Sequence, residues 1–239
     1  MNERMSTPVA LNNIDHKDLR VITTRSAAYG DDVKSALTFP AEFRNVQACY
    51  PIVFQKTADG KFQSIALFGF QDKENLFLGP GGWDAQYVPL TVERQPFLIG
   101  FRDREPTVHI DLASPRVSRT AGEALFREYG GSTEFLERMS SVLLTIHQGL
   151  EAAPAFIDAL LQHDLLESFV LDVELNDGSQ RRLTGFYTIN EERLGKLEAG
   201  ALERMHKAGY LQAIYMAVAS LSHFRDLIER RTRLHAARR

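Results

Sequence analysis

The sequence predicts an α+β fold: a mixed, mostly antiparallel sheet from the first half, rejoined by a hairpin near residues 169–187 and packed against helices of the second half. Three observations predict it. Short apolar runs rich in β-branched and aromatic residues, separated by turn signals, fill residues 40–118. Apolar residues recur at helical spacing through much of 119–239. Within that second half the period returns to two, with Phe169, Leu171, Val173 and Leu175 alternating with Val170, Asp172, Glu174 and Asn176.

Each element follows from local chemistry. Val46–Gln55 has strand composition, and Pro51 marks an edge or bulge because it has no N–H for a ladder. Asp59-Gly60 is a hairpin turn leading into Phe62–Phe70, a strand apolar on both faces and so expected to be covered on both. Asn75–Leu78 is a further short strand, ended by Gly79-Pro80-Gly81-Gly82. Tyr87–Val92, Phe97–Phe101 and Thr107–Leu112 continue the sheet. Helices are expected over Ala121–Tyr129, Thr133–Leu150 with Ser132 or Thr133 as cap, and Ala155–His163 after Pro154. Asn176-Asp177-Gly178-Ser179 turns the later hairpin, and Arg181–Tyr187 returns. A helix opens at Thr188–Glu192. Ala201–Lys207 follows, and after Gly209 a single long helix is expected from Tyr210 to Arg233. With no linker-like stretch, 1–239 is expected to form one unit, β-rich over 40–118 and α-rich over 119–239.

Composition narrows the class further. A chain of 239 residues, 44% hydrophobic and with a net charge of -3, is neither disordered nor broadly attracted to nucleic acid or anionic membrane. The lone Cys49 forms no internal disulfide and is expected as a buried strand thiol. No run approaches a bilayer span, and Met1–Leu11 lacks the apolar core of a secretory signal, so a cytoplasmic location is expected.

An ordered series of motifs carries a family resemblance. It comprises Tyr50-Pro51-Ile52-Val53-Phe54, Gly69-Phe70 with Glu74-Asn75-Leu76-Phe77, Trp83 with Tyr87-Val88-Pro89, and Arg94-Gln95-Pro96-Phe97. Ala124-Leu125-Phe126, Leu183-Thr184-Gly185-Phe186-Tyr187 running on to Leu194, and Gly209-Tyr210-Leu211 complete it. The series, from about His16 to Leu227, resembles the SapC family of bacterial surface-layer-associated proteins. The resemblance implies an accessory role linked to surface-layer or cell-envelope processes and brings no catalytic residues with it. A membrane permease that shares the family's name is a different protein, because this chain lacks membrane spans.

Three constellations are candidates for chemistry. Trp83, the only tryptophan, follows a glycine turn, and Tyr87, Arg94 and Phe97 lie close along the chain. Rings beside a guanidinium can grip a protein or peptide partner; the plain alternative is that Trp83 seals the sheet end while Arg94 meets a carboxylate. His109 and Asp111, two apart on a strand, share a face and could begin a non-haem iron site, making a metal-dependent enzyme the alternative to a binding protein. That site needs a second histidine on a strand, whereas His147, His163, His206 and His223 fall in expected helices. The basic end over 225–239, six arginines against Asp226 and Glu229, is read as a dipole-complementing helix end and only secondarily as a nucleic-acid contact. The leading expectation is therefore a non-catalytic accessory protein with no cofactor. Its protein or peptide partner is expected at Trp83, Tyr87, Arg94 and Phe97.

Overall fold

The computed structural model describes residues 6–103, 105–174 and 180–236. Its architecture is α+β with antiparallel sheets. A five-stranded sheet runs in the order β12-β13-β4-β5-β3, formed by β3 (Ser35–Leu37), β4 (Ile52–Lys56), β5 (Phe62–Leu67), β12 (Leu166–Glu174) and β13 (Gln180–Ile189). The second-half hairpin does rejoin the first-half sheet, through Phe186↔Gln55 and Tyr187↔Phe54. Its expected turn, Asn176–Ser179, lies outside the described residues, as do Arg238 and Arg239. A second sheet, β1-β9-β8, joins β1 (Pro8–Ala10), β8 (Phe97–Arg102) and β9 (Glu105–Asp111). A small third sheet is made of β2 (Arg20–Val21), β10 (Val117–Ser118) and β11 (Glu123–Ala124), and β6 (Leu78–Gly79) pairs with β7 (Gly82–Trp83) in a tight hairpin.

Several local expectations change. Residues 46–50 are not strand. They continue from α1 (Phe43–Val46) in turns that deliver the Tyr50 side chain to the interior, so Cys49 is a partly buried turn residue. The expected strand at 87–92 is instead α2 (Leu90–Glu93). Pro89 sits at its N-cap with φ -57°, a torsion already suited to starting a helix. The expected helix at 121–129 is absent, because Gly122 turns at φ +95° against the backbone of Val21. A Cβ there would lie 2.2 Å from the Val21 carbonyl oxygen, so only glycine fits this approach.

α3 (Glu134–Gln162) runs unbroken through Pro154 where two helices were expected. Thr133 caps it, its hydroxyl accepting from the Leu136 N–H at 3.3 Å. Proline removes one internal bond and normally breaks a helix, but packing on both sides holds the line. Leu136, Met139 and Leu143 pack with Phe97, Ile110 and Leu125 in one apolar cluster. Phe156, Ile157 and Leu160 pack in the other, over the five-stranded sheet. The Phe156 ring alone touches Phe43, Phe54 and Tyr210, a burial worth roughly 2–3 kcal/mol.

The remaining helices are α4 (Glu191–Gly195), α5 (Ala199–Lys207), α6 (Tyr210–Ser220) and α7 (His223–Ala236). The long helix expected after Gly209 breaks between α6 and α7. There the buried Ser220 hydroxyl gives its proton to the Ala217 carbonyl and accepts from the Ile52 N–H at 2.8 Å, locking the end of α6 onto β4. α7 then turns back over the β6–β7 hairpin. Arg230 bonds the Asp84 carboxylate at 2.7 Å and covers the Phe77 ring, while the buried Arg231 lies over Phe70 near Glu74. Two arginines of the basic end thus serve internal packing.

Candidate binding cleft around Arg94

Of the four residues expected to share one contact surface, the three aromatics divide between the two apolar clusters. Trp83 and Tyr87 pack on the five-stranded sheet side and Phe97 lies in the other cluster. Phe97 is fully buried, which corrects its expected role as a contact: β8 turns it inward beside Phe135, and no partner can reach it. Trp83 is exposed only in part. Its indole N–H donates to the Tyr50 hydroxyl at 2.7 Å and its ring stands edge-on to Phe68, so the ring is partly buried and tied inward. The Tyr50 hydroxyl in turn donates to the Tyr87 carbonyl, and burial pushes the Tyr50 phenol well above its usual range.

Tyr87 leads to a buried carboxylate. Its hydroxyl donates to Glu42 at 2.9 Å, and the same carboxyl accepts from the Leu90 N–H at 2.7 Å and the Thr38 hydroxyl at 2.7 Å. Burial raises the Glu42 carboxyl above its ordinary value, against the pull of these three donors. The arrangement fixes the start of α2, and α2 in turn fixes Arg94 at its C-terminal end, where the Arg94 N–H bonds the Leu90 carbonyl at 2.9 Å.

Arg94 is the member of the set that keeps an open side. Its Nη1 donates to the Phe97 carbonyl at 2.6 Å, and no carboxylate among the described residues pairs with it. The neighbouring Glu93 is already held by Arg138 of α3 at 2.8 Å. Burial pushes the guanidinium below its ordinary pKa without approaching neutrality, leaving a partly desolvated positive charge. The side chain lines a cleft of about 410 Å³ with Tyr29, Gln95, Leu98, Asp111 and Ser114.

Asp111 therefore meets Arg94 in one cleft, a convergence that no sequence pattern signalled. Its carboxylate is committed to structure, however: one oxygen accepts from the N–H groups of Thr7 (2.8 Å) and Ala113 (3.0 Å), the other from the Ser6 hydroxyl (2.9 Å). Burial alone would raise this carboxyl, yet those three donors hold it below the usual range. His109 stands over Gly100, where a Cβ would lie 2.2 Å from the imidazole. No group of three His, Cys, Asp or Glu side chains able to hold a metal occurs among the described residues, so the His109–Asp111 pair gains no third ligand.

The far rim rests on a buried ion pair that the sequence did not reveal. Tyr29 and Gly30 precede Asp31, and Ser114 and Pro115 precede Arg116; both charges are buried. Arg116 Nη2 bonds both Asp31 oxygens at 2.6 Å, and its Nη1 reaches the carbonyls of Ile22 (2.9 Å) and Thr24 (3.1 Å). The Ser26 N–H and Arg25 complete the Asp31 shell. The partners stand 85 residues apart in the chain, so no local pattern could have paired them.

The fold and cleft define an α+β protein with an open recess in which one guanidinium, Arg94, and one carboxylate, Asp111, share the lining. Comparison with protein families identifies the chain more narrowly: the SapC family model matches residues 11–227, and the chain belongs to that family. No curated protein and no solved structure matched it. No helix among the described residues is long and apolar enough to cross a membrane.

Proposed function

We propose that this SapC-family protein is a non-catalytic accessory protein that binds a protein or peptide partner by an acidic group seated on Arg94. One observation carries the reading: a partly buried guanidinium lines an open cleft with, among the described residues, a single internal hydrogen bond, to the Phe97 carbonyl. Asp111 is committed to Ser6, Thr7 and Ala113, so the partly desolvated guanidinium has no directly bonded carboxylate, and one entering the cleft supplies a two-pronged, charge-assisted contact. Gln95 and Tyr29 offer further polar atoms at the mouth, while Leu98, Pro96 and Pro115 supply apolar walls. Trp83 and Tyr87 serve by bracing the segment that presents Arg94. Family membership supports a role in surface-layer or envelope processes, which we place in the cytoplasm.

The test compares wild type with Arg94→Ala and Arg94→Lys as immobilised bait. A partner held by wild type, weakened by lysine and lost with alanine supports the reading. A partner held equally by all three, with circular dichroism unchanged, contradicts it.

A further inference from the structure

A second cavity, of about 530 Å³, lies between α3 and the β4–β5 hairpin, independent of the Arg94 cleft. Its walls are apolar: Leu37 and Phe62 from the sheet, Leu150, Ala153, Ile157 and Leu161 from α3. Leu161 is left 44% exposed at the mouth. The floor contains two hydroxyls, but both are already used. Thr38 donates to Glu42 at 2.7 Å and Ser64 donates to the Thr38 carbonyl at 2.8 Å. Both hydroxyl protons are engaged, so apart from Gln63 the lining between the charged residues offers an incoming group no free side-chain donor, and the leucine, isoleucine and phenylalanine walls favour an apolar body.

Charge is confined to the mouth, and it is unequally placed. Lys56 has no carboxylate partner among the described residues, and its ammonium lies over the rings of Phe62 (5.1 Å) and Tyr187 (5.5 Å). Those rings hold the ammonium by cation–π attraction without neutralising it. Lys61 adds a second ammonium from the same hairpin, paired at 3.3 Å with the exposed Asp59. On the opposite wall α3 carries Asp158, which repels an anion from the helix side. We infer that this cavity binds a single-tailed amphiphile with an anionic head, a fatty-acid-type carboxylate. Its head lies at Lys56 and Lys61, and its tail runs along Phe62, Ile157 and Leu161.

The probe is dodecanoate below its micelle-forming concentration, titrated calorimetrically into the full chain. Saturable binding is expected, with dodecyltrimethylammonium and dodecanol each at least about tenfold weaker because they cannot make the charge-assisted contact. Lys56→Met is expected to weaken dodecanoate about tenfold while leaving dodecanol unchanged. Ala153→Trp, which fills the cavity from a partly exposed helix position, is expected to abolish binding. Each titration is repeated in the Arg94→Ala background, which removes any carboxylate contact in the other cleft; saturable dodecanoate binding is expected to persist there, and its disappearance would overturn the assignment to this cavity. Equal binding of the anionic and cationic amphiphiles would reduce the effect to detergent-like adsorption and overturn the assignment. So would full affinity in a folded Ala153→Trp variant, or no saturable binding by wild type.

Discussion

Removing the Asp31 carboxylate probes the scaffold under the cleft. In Asp31→Ala, Arg116 loses two bonds of 2.6 Å and is left as a charge whose side chain is 1% exposed. Stripping one partner from a buried pair costs roughly 3–5 kcal/mol, and the Ser26 N–H, losing its acceptor, adds up to about 1 kcal/mol. Against a typical total of about 5–15 kcal/mol this is a large fraction, readable as a shift in the urea midpoint at constant slope. Trp83, as the only tryptophan, gives the fluorescence signal, with circular dichroism as the second probe. The double variant Asp31→Ala/Arg116→Met removes the orphaned charge and is expected to lose less than the sum of the single changes by about 1–3 kcal/mol. A cost below about 1 kcal/mol for Asp31→Ala, or strict additivity in the double variant, would refute the reasoning.

Two further substitutions test the frame. Gly149→Ala would place a Cβ 2.2 Å from the fully buried Phe39 ring; overpacking of about 1–3 kcal/mol outweighs the gain in helix propensity of about 1 kcal/mol, and the thermal midpoint should fall. Glu42, whose folded carboxyl sits above its ordinary value of 4.5, favours folding when protonated, so its contribution is present at low pH and lost as pH rises through the raised value. Compared with Glu42→Gln, wild type should therefore lose stability in urea as pH rises above the ordinary value of 4.5, and the opposite trend would contradict the assignment.

Much of the frame was legible from the chain, for reasons that particular residues make plain. The Asp59-Gly60 turn and the two-residue alternation after Phe169 specify their hairpins locally, and both pair as expected. Where tertiary contacts override local preference, the reading failed. Gly122 and Val21 approach across about a hundred residues, a contact that removes an expected helix. Pro154 stays inside a helix because two separate clusters hold its ends. Pro89 lies in a run of strand composition, yet a proline equally well begins a helix, and here it does.

The site was legible one residue at a time. Arg94 stood out beside its aromatic neighbours, but the sequence could not show that Phe97 turns inward while the guanidinium keeps a free side. Nor could it show that Asp111, chosen for metal chemistry, would clamp the N-terminal strand and border the same cleft. The Asp31–Arg116 pair carried no signal at all, since a buried charge looks like a surface charge until its partner is known.

The most direct test of the account is a calorimetric titration with a glutamate-rich peptide and its glutamine counterpart. Wild type should prefer the acidic peptide at least about tenfold, and Arg94→Ala should erase that preference without changing the unfolding free energy by more than about 1 kcal/mol. Equal affinity for the two peptides, or a preference that survives the loss of Arg94, would contradict it.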